Sequence, residues 1–210
     1  MNFLTDEATG ARATLLLALG AGAPMDTPFM EAFARGLSAR HVSVVRFEFA
    51  YMAARRTGGS KRPPPRAERL MDEYRTAISG IGVNGPIIIG GKSLGGRVAS
   101  LIAQEEWEAG RVAGLVCLGY PFHPPGKPDK LRTSHLLELT VPSLIVQGER
   151  DRFGTIEDVA GYGLPSNIKI YWAGDGDHDL KPRKKSGLTV EQNWQDAVNA
   201  IASWVLQIVS

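Results

Sequence analysis

The sequence predicts an α/β protein: three layers, with about six mostly parallel strands forming one open sheet and helices on both faces. Three observations carry that expectation. Six short apolar runs recur along the chain, at 13–19, 42–47, 86–90, 112–118, 143–146 and 168–172. Most are continuous Val, Ile and Leu with no polar alternation, as strands covered on both faces read. Segments of helical period lie between them, and a strand–helix–strand order with right-handed crossovers builds a parallel sheet.

Taken in order, the strand at 13–19 runs into Gly20-Ala21-Gly22-Ala23, a loop of small residues. Thr27-Pro28 reads as an N-cap followed by proline at the first helical position, opening a helix over 29–40. After the strand at 42–47, the stretch 55–66 is basic and rich in Pro and Gly, which predicts an irregular loop. Helices are expected at 66–79, 94–108 and 155–162. The last helix starts at Thr189 with Gln192 three residues on, a capping box. Its Trp194, Val198, Ile201, Val205 and Ile208 recur at helical spacing and should face the sheet.

The chain has 210 residues, 43% of them hydrophobic, which suits a single domain over 1–210 with a full core and no cap domain. Lys and Arg number 24 against 22 Asp and Glu, a net charge of +2 that argues against a nucleic-acid partner. No run is long enough to span a bilayer, and residues 1–7 lack the regions of a signal peptide. A cytoplasmic protein is the resulting expectation, with oligomeric state left open. The single cysteine, Cys117, lies in an apolar strand and excludes an internal disulfide. Positive charge concentrates in 55–66 and in Lys181-Pro182-Arg183-Lys184-Lys185.

The most informative motif is Gly91-Lys92-Ser93-Leu94-Gly95, set between an apolar strand and a helix. A G-x-S-x-G in that context is a nucleophile elbow, a turn so sharp that glycine is needed on both sides of the serine. A serine hydroxyl needs a base, and the base needs an orienting acid. Asp151 follows the strand at 143–146 and His178 follows the strand at 168–172, in the chain order Ser, acid, His. Glu149 is the rival acid and His123 the rival base. His41 precedes a strand, on the far edge, and His135 lies in a polar segment. The oxyanion hole should take its donors from the backbone of Leu94 and of the first loop, at Ala21. No metal-ligand cluster, phosphate loop or nicotinamide fingerprint is visible, so no cofactor is expected; Asp175, Asp177 and Asp179 alternate but fit no EF-hand loop.

Several segments together resemble the small α/β-hydrolases. They are Gly20-Ala21-Gly22, Asp26 to Met30, Arg46 to Met52, Gly90 to Arg97, Gly148 to Asp151 and Asp177 to Pro182. The nearest group is a compact set related to dienelactone hydrolase, which includes hydrolase-like proteins of chromatin complexes. The resemblance implies a core of about six strands and a Ser93–Asp151–His178 triad acting on a carboxylic ester or thioester. That group usually carries His where this chain has Leu19, a change that leaves the backbone donors in place. Dienelactone hydrolase itself uses a cysteine nucleophile, so its particular reaction does not carry over to Ser93.

Gly22, Met25, Phe29, Tyr51, Met52, Tyr120, Phe122, His123 and Phe153 are the candidates for the substrate pocket, being on loops at the same strand ends. The basic loop at 55–66 is either solvated surface or an attraction for an anionic substrate group. The alternative reading is a hydrolase-like binding module that holds an anionic partner on that loop.

Overall fold

The computed structural model describes residues 1–22, 24–56, 58 and 63–210. Seven strands form one sheet in the order β1-β3-β2-β4-β5-β6-β7. They are β1 (Phe3–Asp6), β2 (Ala13–Ala18), β3 (Val42–Phe47), β4 (Ile87–Lys92), β5 (Gly114–Leu118), β6 (Ser143–Gly148) and β7 (Ile168–Ala173). All neighbours run parallel except β1, which is antiparallel to β3. Among the described residues six α-helices complete the fold: α1 (Pro28–Ser38), α2 (Ala50–Arg56), α3 (Met71–Gly80), α4 (Leu94–Glu108), α5 (Ile156–Ala160) and α6 (Val190–Ile208).

Strand parity sorts the core into two layers. Leu15, Leu17, Val44, Ile88, Val116 and Val146 point to one face, where α1 and α6 cover them with Phe33, Leu37, Val198 and Ile201. Leu16, Val45, Ile89, Cys117 and Ile145 point to the other, under Tyr74 and Ala77 of α3 and Val98 and Ile102 of α4. Every residue of β2, β5 and β6 is buried, which is why those strands read as unbroken apolar runs.

The helix starts follow local chemistry. Thr27 accepts from the Met30 N–H with Pro28 in the first turn, and Thr189 and Gln192 close a capping box. The expected helix at 66–79 is divided: a tight turn over Ala67–Leu70 leads into α3. Two elements were not expected. β1 is a partly exposed edge strand with little apolar content. α2 occupies the end of the predicted run from β3 into the basic loop, and its first N–H is capped by the distant Glu73 carboxylate at 2.7 Å. The loop predicted at 55–66 thus begins in a helix; its Thr57 and residues 59–62 lie outside the described residues.

Sheet order positions the site. From β2 the chain moves outward to β3, and from β4 onward it moves the other way. The loops after β2 and β4 therefore part company at adjacent strand ends, the place where ligands bind in open α/β sheets. Tyr74 stitches this centre from below. Its hydroxyl lies 2.8 Å from Leu16 O and 2.6 Å from Gly90 O, and it accepts from Gly90 N–H at 2.8 Å. Tyr74→Phe removes the buried hydroxyl and its hydrogen bonds to Leu16 and Gly90. We expect it to destabilise the fold by about 0.5–1.5 kcal/mol, read as a Tm lower by a few degrees at roughly 2–4 °C per kcal/mol. An unchanged Tm would show that the hydroxyl is dispensable.

Candidate active site

Ser93 sits between β4 and α4 with φ 51° and ψ −112°, a left-handed backbone that a serine rarely adopts. Crowding requires that turn. A Cβ on Gly91 would lie 2.5 Å from Ala18 O, and one on Gly95 would lie 2.4 Å from the same oxygen. The Ser93 N–H donates to Leu118 O at 2.9 Å, which ties the turn to the end of β5.

Asp151, on the loop after β6, is fully buried. Its Oδ2 lies 2.7 Å from His178 Nδ1, on the loop after β7. Oδ2 also accepts from Gln147 Nε2 at 3.0 Å, and Oδ1 accepts from the Phe153 N–H at 2.9 Å. The Phe153 ring packs on the His178 imidazole, with centroids 4.4 Å apart. The rival acid points elsewhere: Glu149 accepts from the Asp175 N–H at 2.7 Å. His123 is buried, with Nδ1 at 2.9 Å from Pro124 O and Nε2 near Asp158. His41 contacts Thr9 O, far from these loops.

Two clefts meet at Ser93. The smaller, about 480 Å³, is lined by Leu19, Gly22, Phe29, Lys92, His178 and Trp194 among others. The larger, about 780 Å³, takes Leu94, Arg97, Arg132 and Phe153. Ala21 and Ser93 border both. Among the described residues, no hydrogen bond within 3.5 Å joins Ser93 Oγ to His178. Of the pocket candidates, Gly22, Phe29 and Phe153 line these clefts. Tyr120 and Phe122 do not: both are fully buried in the core under α4. Met52 and His123 are likewise buried away from the clefts, and Tyr51 packs against Phe49. Met25 lies by Glu48, in a separate depression near the amino terminus.

Two side chains were not singled out from the sequence. Gln147 bridges two loops: besides Asp151 it donates to Tyr120 O and Gly154 O at 3.2 Å, and it accepts from the Tyr120 N–H at 2.7 Å. A buried glutamine closing an apolar strand was the available signal. Lys92, inside the G-x-S-x-G, is nearly buried. Its Nζ donates to His178 O at 2.6 Å, pairs with Asp179 at 3.3 Å and sits 5.4 Å from the Phe29 ring centroid. Burial lowers its pKa, opposed by the charges of Asp179 and Asp151. Gly119, at φ 62°, gives room for this contact, since a Cβ there would come within 2.9 Å of His178 O.

The alternating aspartates are structural. Asp175 binds Arg183 and Arg150, and the hydrogen bonds from Arg183 lower its pKa to about 2. Asp177 accepts from the Asp179 and Lys181 N–H groups. Among the described residues no group of His, Cys, Asp and Glu is arranged to hold a metal ion.

A family model described as the alpha/beta hydrolase domain matches residues 11–206. The chain belongs to that family. Solved structures agree on the α/β-hydrolase fold across nearly the whole chain. Est1E from Butyrivibrio proteoclasticus superposes with a TM-score of 0.72 at 14% identity, covering 99% of this chain and 93% of that one. Dienelactone hydrolase from Anabaena variabilis gives 0.70 at 17% identity, covering 98% and 91%. XC6422 from Xanthomonas campestris, described as a serine hydrolase without a lid, gives 0.66 at 16% identity, covering 98% and 88%. Among the described residues of this α/β-hydrolase, no helix is long and apolar enough to cross a membrane.

Lys92 fastens the turn between β4 and α4 to the loop that carries His178. A hydrogen bond from a charged group contributes about 1.5–3 kcal/mol. In Lys92→Met we therefore expect the protected amides of Asp179, Leu180 and Lys181 to exchange at least about tenfold faster. Unchanged exchange would mean that Lys92 does not anchor the loop.

Proposed function

We propose that this protein is a serine hydrolase that cleaves a carboxylic ester or thioester through an acyl-enzyme on Ser93. The observation that carries the reading is the 2.7 Å contact between His178 Nδ1 and the buried Asp151 carboxylate, on loops beside the strained Ser93. Asp151 holds the proton on Nδ1, which leaves Nε2 free to act as base. His178 takes the Ser93 proton as Oγ attacks the acyl carbon, then returns it to the leaving group. Water repeats the sequence to release the acid.

The developing oxyanion needs two donors. The Leu94 N–H opens α4, where no earlier turn offers it an acceptor. Ala21 lies on the loop after β2 and borders both clefts beside Ser93. Neither amide donates to a protein acceptor among the described residues. The open Ser93–His178 contact is compatible with this role, because such bonds are often long before substrate binds. The resemblance to hydrolase-like proteins of chromatin complexes carries no weight in this reading.

A serine–histidine hydrogen bond is found elsewhere, with Ser100 Oγ 2.8 Å from His135 Nε2. It is a poor candidate. Ser100 is buried within α4 and donates to Arg97 O, and among the described residues no carboxylate is hydrogen-bonded to His135. Burial, aided by the Arg97 charge, lowers the His135 pKa to about 4. A fluorophosphonate probe separates the two. We expect one adduct by intact mass, lost in Ser93→Ala and kept in Ser100→Ala, with labelling slowed at least about a hundredfold in Asp151→Ala. An adduct that survives Ser93→Ala would sink the assignment.

A further inference from the structure

The larger cleft is charged in a way that the proposed reaction does not use. Arg66, Arg69, Arg97 and Arg132 line it, against a single carboxylate, Glu68. Glu68 is half-exposed and binds Arg97 at 2.9 Å. Arg132 has no such partner: among the described residues its guanidinium makes no hydrogen bond or ion pair, and only its backbone is bound, the N–H to Phe122 O and the carbonyl to the Tyr120 hydroxyl. It is nonetheless partly buried, and the neighbouring Arg97 charge adds to burial in disfavouring its own charge. The Arg97 Nε is buried with no acceptor among the described residues. The groups beneath Arg97 do not offset this charge, because Tyr120 and Ser100 are uncharged and His135 is neutral.

Two adjacent guanidiniums with one carboxylate between them are an arrangement that an oxyanion would complete. Its place relative to the chemistry is fixed by α4. The Arg97 N–H donates to Ser93 O at 3.0 Å, so Arg97 stands one turn beyond the nucleophile, near the positive end of the helix. His178 lines only the smaller cleft. It must protonate the leaving group, so the leaving group belongs there and the acyl chain enters the larger cleft. Pro64, Pro65, Leu94, Pro121 and Phe153 give that cleft apolar walls suited to a carbon chain.

We propose that Arg97 and Arg132 form an acyl-chain subsite for an oxyanion, so that the preferred substrate is an ester or thioester whose acyl chain ends in a carboxylate or phosphate. This rests on the Ser93 reading for its chemistry but not for its binding.

The test compares mono-p-nitrophenyl glutarate with p-nitrophenyl pentanoate, which differ by a terminal carboxylate in place of a methyl. In parallel, glutarate and inorganic phosphate are titrated calorimetrically into Ser93→Ala, with and without Arg132→Gln. We expect kcat/KM at least about tenfold higher for the glutarate ester, roughly 1.4 kcal/mol of transition-state preference. In Arg132→Gln the ratio should fall towards one, and in Arg132→Lys it should be partly restored. Glutarate binding identifies the group as a carboxylate; phosphate binding without glutarate binding identifies it as a phosphate. Turnover of both esters with a ratio at or below one, and no binding of either anion, overturns the subsite and leaves the hydrolase standing. Anion binding lost in Arg132→Gln, with neither ester turned over, keeps the subsite and overturns the hydrolase.

Discussion

The Ala18 carbonyl oxygen is the contact on which the site depends. Gly91 and Gly95 both press their backbones against it, at separations that no side chain could share. That contact brings the end of β2 against the turn from β4 to α4. It forces Ser93 into the left-handed region and sets the loop at 20–22 beside it. The proposed nucleophile and both proposed oxyanion donors are therefore products of one backbone contact. Strain at Ser93 is tolerated because the surrounding sheet is closed on both faces and leaves the turn no alternative path.

The histidine side of the site is built differently, from polar cross-ties. Gln147 joins the loops after β5 and β6 and holds the Asp151 carboxylate. Lys92 reaches from the elbow to the His178 backbone, and Gly119 leaves space for it. These groups are buried, so each hydrogen bond is costly to lose and the loops are held to a narrow range of geometry. Asp175, on the same loop as His178, pairs with Arg150 and Arg183. Its pairing with Arg183 is fully present above the ordinary Asp pKa and is lost as pH falls towards about 2.

Most of this architecture was legible in the chain. The inner strands were readable because burial on both faces leaves nothing but apolar residues, and 42–47 and 94–108 coincide with β3 and α4. β1 was not legible, since an edge strand carries half the apolar signal. α2 was not either, because its cap comes from Glu73 on another helix. The elbow stood out because its residues are consecutive. Pocket residues did not, because an aromatic side chain after a strand reads the same whether it fills the core, as Tyr120 and Phe122 do, or borders a cleft, as Phe153 does. Lys92 and Gln147 gain their importance from partners far along the chain, 86 residues away for Lys92 and His178. Arg132 is invisible in sequence for the same reason: what matters is that, among the described residues, no carboxylate binds its guanidinium, the nearby Glu68 being paired with Arg97.

A crystal structure of the phosphonylated protein tests the central claim most directly. The account predicts phosphorus on Ser93 Oγ, with the phosphonyl oxygen roughly 2.7–3.1 Å from the backbone nitrogens of both Leu94 and Ala21. Phosphorus on any other residue, or a phosphonyl oxygen turned away from both amides, would contradict it.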